Sequence, residues 1–133
     1  MFAGSFLRKR EMVLDSSLRR NSEERARILV HELFHFAWLR LGNPLRAGWT
    51  GVLEAEAAAR ARGELGWSSE WRKREEPAGQ NWRDYVCESF CDSAAWMYSG
   101  VAQHDEFTLG ARWRMKRRKW FVRNIGARGW LKL

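Results

Sequence analysis

Five side chains in two short runs carry most of the reactive chemistry in this chain. His31-Glu32-Leu33-Phe34-His35 places two imidazoles four residues apart within an otherwise apolar stretch, residues 28–38. On a helix, side chains so spaced lie roughly 5–6 Å apart at Cβ, so both rings can converge on one metal ion. Glu32 follows His31 by about 100° round the helix and can reach a water on such an ion without binding the ion itself. Apolar neighbours on every side predict a buried helix, and a buried polar trio needs a partner to offset its desolvation. A metal is the simplest partner.

A catalytic zinc site takes three protein ligands and leaves one position open. The third ligand expected is Glu88, in Glu88-Ser89-Phe90-Cys91-Asp92. Glu88 and Asp92 share a helix face one turn apart, so Glu88 can bind the metal while Asp92 accepts the free N–H of a ligand histidine. Glu54 and Glu56 come sooner after His35 but lie in an Ala- and Arg-rich helix expected to be exposed. Cys87 and Cys91 offer a different arrangement. With His31 and His35 they would close a structural tetrahedral zinc with no room for water. The cysteine face, however, lies about 100° from the Glu88/Asp92 face, and that closure would leave Glu32 buried without a task. For a developing oxyanion, His104 and Tyr98 are candidate stabilisers, with Tyr85 and Arg83 of similar chemical type.

His31-Glu32-x-x-His35 followed by Glu88-x-x-x-Asp92 resembles the gluzincin pattern of zinc metallopeptidases, HExxH with a downstream ExxxD. The small size resembles the minimal gluzincins and, more loosely, the ImmA/IrrE-like bacterial metallopeptidases, which also have a strand just before the active-site helix. The resemblance covers about residues 1–100. It implies a zincin-like domain that hydrolyses peptide bonds in a peptide or protein substrate. His31, His35 and Glu88 would be the Zn2+ ligands, Glu32 the general base and Asp92 the partner of a ligand histidine. The downstream Gly-x-x-His of metzincins is absent, and SprT-like proteases share HExxH and basic character but not the ExxxD ligand.

The elements that must position these residues can be read from capping and periodicity. Residues 2–7 and 11–14 favour strands. A polar connection at 15–20 leads to Asn21, which with Glu24 forms a capping box, Ser22 being the alternative cap. The helix so begun runs to about residue 41 and stops at Gly42-Asn43-Pro44. A loop is expected at 45–49, a helix at 52–61 ending near Gly63, and a loop at 65–80 that contains Pro77, with one helical turn at 70–75. A second strong helix spans 81–99 with Gly100 at its end. After a loop at 100–108, a last helix covers about 109–124. The expected architecture is α+β and helix-dominated: one domain over residues 1–133, with a short N-terminal strand region and an active-site helix packed on a glutamate helix.

Composition narrows the remaining choices. With 133 residues the chain suffices for a single core, and nine Trp give that core much aromatic surface. No run of 18 apolar residues and no signal-peptide pattern occurs, so no transmembrane segment is expected. Cys87 and Cys91, one turn apart, are poorly placed for an ordinary disulfide, and a reducing, cytoplasmic setting follows as the expectation. Net charge is +8, yet nine positives and no acid follow residue 106, leaving the first 106 residues at about −1. Arg112, Lys116, Lys119 and Arg123 recur at spacings of three and four, with Trp113, Met115, Trp120 and Phe121 between them. Such a basic helix suits a solvated face, a nucleic-acid backbone, or an acidic partner or membrane surface. The alternative overall reading is therefore a non-catalytic zincin-like module with structural zinc on His31, His35, Cys87 and Cys91, using this helix to bind nucleic acid or a regulatory protein.

Overall fold

A computed structural model describes residues 3–7, 9, 11–16, 21–75, 79–129, 131 and 133. Phe2, positions 17–20 of the polar connection, Pro77 and Lys132 lie outside the described residues. Strands β1 (Ala3–Phe6) and β2 (Glu11–Leu14) pair antiparallel, with Ala3 opposite Leu14 and Phe6 opposite Glu11. Among the described residues five α-helices follow: α1 (Ser22–Arg40), α2 (Asn43–Ala58), α3 (Trp67–Arg74), α4 (Gln80–Tyr98) and α5 (Ala111–Asn124). The fold is α+β and dominated by helices. No helix among the described residues is long and apolar enough to cross a membrane.

The α1 start follows its capping signal. Asn21 accepts the backbone N–H of Glu24 at 3.1 Å, and Glu23 and Glu24 sit at the positive end of the helix dipole. Gly42, at φ 84°, ends the helix in a left-handed conformation. The expected loop at 45–49 is instead the first half of α2, because Pro44 fits a first helical turn, where a missing N–H costs nothing. The same Gly-Asn-Pro run thus stops one helix and starts the next. The early start puts Trp49 and Leu53, both fully buried, into the core. Arg60, at φ 55°, marks the turn beyond α2, short of the expected boundary at 61. The single turn expected at 70–75 is a two-turn helix, α3.

α1 packs on α4, and the pairing runs antiparallel: His31 meets Asp92 while His35 meets Cys87. Phe90, fully buried, is the hub of the aromatic core. Its ring lies 5.7 Å from Phe34, 4.9 Å from Trp38, 6.1 Å from Trp49 and 5.4 Å from Phe121. The hairpin lies against α1, beside an open apolar hollow of about 200 Å³ lined by Met12, Leu33, Phe36 and Leu133.

α5 departs from a simple basic surface helix. Arg112, Lys116, Lys119 and Arg123 are exposed, as an outer face requires. Arg117, by contrast, is fully buried and holds Glu56 at 2.7 and 2.8 Å and Glu64 at 2.8 and 3.0 Å. Glu56, expected on an exposed helix, is 2% exposed for this reason. Ser93 accepts a further bond from Arg117 at 3.0 Å, and the Tyr85 hydroxyl donates to Glu64. This ion cluster joins α2, α4 and α5 to the segment before α3.

Candidate metal centre

His31 and His35 project from the middle of α1 onto α4, one turn apart, with ring centroids 5.0 Å from each other. Both present Nε2 to Glu88: His31 Nε2 lies 3.1 Å and His35 Nε2 3.6 Å from its carboxylate oxygens. The three donor atoms are all within 4.8 Å of one another, close enough to share an ion. Two imidazoles and one carboxylate fit a borderline divalent metal.

The opposite ring edges are held as well. His31 Nδ1 is 2.7 Å from Asp92, which is 1% exposed. The second Asp92 oxygen accepts the Ser69 backbone N–H at 3.0 Å and its hydroxyl at 2.7 Å. Asp92 thereby caps the start of α3 while it orients His31, the arrangement that keeps a ligand imidazole in one tautomer. Gly66 makes room for this: a Cβ there would lie 2.2 Å from the Asp92 carboxyl carbon, inside any permitted contact. His35 Nδ1 meets a different group, Cys87 Sγ, at 3.6 Å. Glu32 is buried, at 8% exposure, beside His31 on α1.

Without metal, burial opposes a charge on His31, but the Asp92 carboxylate and Glu88 outweigh it and push the ring up to about 10. Asp92 moves the other way: burial raises it, and the charge and hydrogen bond of His31 hold it below its usual value. In the metal-free chain the charged ring stabilises the fold fully below pH 6.5, and that stabilisation is lost as pH rises through about 10. Metal binding at neutral pH must therefore expel the His31 proton. Calorimetric titration at pH 7.5 in buffers of different ionisation enthalpy is expected to read at least one proton released per ion. Binding without proton release would contradict the assignment of His31 as a ligand.

The two suggested oxyanion donors are not brought to this group. His104 receives the Glu106 N–H on Nδ1 at 3.1 Å, and its Nε2 lies 2.7 Å from Glu24, so neither nitrogen has a free N–H to offer. Tyr98 stacks on Phe34 at 5.6 Å and lies ten residues, about 15 Å along the helix axis, from Glu88. Tyr85 is committed to Glu64. The suggested quartet of His31, His35, Cys87 and Cys91 does not converge as one group among the described residues. His35 falls with the two cysteines, and separately with His31 and Glu88.

Sequence reasoning passed over Gly66 and Ser69, although Gly-Trp-Ser-Ser-Glu carries the small and acidic residues of a helix start. It also counted Arg117 only as one of the nine positives after residue 106 and not as a buried residue. The signal was available in its position between Trp113, Trp120 and Phe121 on the helical wheel, in the middle of an aromatic stripe. Comparison of the chain with protein-family models, with curated proteins and with solved structures finds no match.

Proposed function

We propose that this protein is a zinc-dependent peptidase of the gluzincin kind, with a zincin-like active site between α1 and α4. The observation that supports it most is the convergence of His31 Nε2 and His35 Nε2 on the Glu88 carboxylate, with His31 Nδ1 anchored by Asp92. His31, His35 and Glu88 would hold the ion. Zinc, when bound there, supplies Lewis acidity and lowers the pKa of a water. Glu32 takes a proton from the attacking water and delivers it to the leaving amine. Asp92, held by Ser69, keeps the His31 ring oriented so that Nε2 faces the ligand group. The hairpin beside α1 suits an extended peptide by strand addition. The exposed cations of α5 fit a nucleic-acid backbone or another acidic partner, contacts that weaken steeply with salt.

The test is a zinc-reconstituted protein examined by X-ray absorption and assayed on a mixed peptide library. Two nitrogens, a carboxylate and a water at zinc, with cleavage that chelation removes and zinc restores, are expected. Sulfur ligands at full zinc occupancy, with no cleavage, would favour the non-catalytic module and refute the peptidase.

A further inference from the structure

The edge of His35 that turns away from Glu88 meets two thiols. Cys87 Sγ lies 3.6 Å from His35 Nδ1, and Cys91 completes a group of three donors all within 4.8 Å of one another. Both cysteines are free; Cys91 is fully buried and Cys87 half-buried. They lie one turn apart on α4, so their sulfurs share a face. Two thiolates and an imidazole are the donors that soft cations select, whereas two imidazoles and a carboxylate suit a harder ion.

We propose that Cys87, Cys91 and His35 Nδ1 form a second metal site, for thiophilic cations such as Cd2+ or Cu+, and that filling it empties the His31/His35/Glu88 site. The exclusion follows from the ring that both groups use. A neutral imidazole carries one lone pair. When Nδ1 binds a cation in the thiol group, Nε2 keeps the proton and turns an N–H, not a lone pair, toward Glu88. Each thiol releases its proton to solvent as it binds. The thiol site stands on its own geometry, and only its consequence for zinc rests on the proposed function. That consequence is inhibition by soft metals through the loss of one zinc ligand, without any contact between cation and substrate.

The experiment begins with metal-free protein in a thiol-free reductant, titrated with Cd2+ while thiolate-to-cadmium charge transfer is recorded in the near ultraviolet. One cadmium per chain with the intensity of two thiolates is expected. Cys91→Ser should halve the band and weaken binding at least tenfold, and Cys87→Ser, at the less buried position, makes the same test if the first variant fails to fold. Glu88→Gln should leave the band in place. No band, or one indifferent to both serine variants, overturns the site, and does so whether or not zinc binds elsewhere. The exclusion is read on zinc-loaded protein: cadmium should release one zinc per cadmium bound in the wild type and much less in the serine variants. Equal zinc release from the wild type and the serine variants, or a growing band with zinc retained, overturns the exclusion while leaving the peptidase reading untouched.

Discussion

Glu32→Gln is expected to keep the fold and the zinc content of the wild type while lowering kcat by a hundredfold to ten-thousandfold. The change is isosteric: the amide fills the same buried space beside His31 but cannot accept the proton of the attacking water. His31, His35 and Glu88 are untouched, so zinc affinity should stay within a few-fold of wild type. That separation gives the prediction its force, since a structural role for Glu32 would lower stability or metal uptake together with rate. Zinc content by elemental analysis and steady-state kinetics on one cleaved peptide make the measurement. Turnover by the variant at the wild-type rate would remove Glu32 as the base. The proposed mechanism would then lack its proton carrier.

The second large effect lies about the ion cluster rather than the metal group. Arg117→Ala is expected to destabilise the protein by about 3–5 kcal/mol, because it leaves two buried carboxylates facing each other without their counter-charge. Glu56 is 2% exposed and Glu64 fully buried, so neither can turn to water without opening the packing of α2, α4 and α5. Lys73, 3.7 Å from Glu64, compensates only one of the pair. Urea denaturation followed by tryptophan fluorescence reads the loss as a shifted midpoint at similar slope. Replacing Arg117, Glu56 and Glu64 together by apolar residues of similar volume, with Tyr85→Phe and Ser93→Ala to remove the hydroxyls bonded to them, should recover most of the loss, as the attraction within a buried cluster is largely offset by its desolvation. A loss below about 1 kcal/mol in Arg117→Ala would mean that water already reaches the cluster. The cluster also touches the metal group: Ser69, which bonds Asp92, lies 3.4 Å from Glu64 through its hydroxyl. Damage at Arg117 should therefore reach zinc affinity through Asp92 as well as global stability.

What the chain alone determined were the features that depend on neighbours in sequence. The His31/Glu32/His35 spacing, the Asn21 cap and the Gly42 stop are set by helix geometry within a few residues, and α1 follows them closely. The Glu88/Asp92 spacing likewise placed both carboxylates on one face of α4. Local signals failed where one residue served two elements: Gly42-Asn43-Pro44 ends α1 and opens α2, and only the burial of Trp49 and Leu53 decides that the helix resumes at once. They failed again where the sign of a residue's environment is set at long range. Arg117 and Glu56 look like surface charges in isolation, and only their meeting 61 positions apart makes burial affordable. The metal group divides along the same line. Which nitrogens face Glu88, that Asp92 serves His31 while Cys87 serves His35, and that Ser69 and Gly66 seat Asp92 were all decided by tertiary packing, because helix periodicity specifies a face but not the side chain that meets it across the interface.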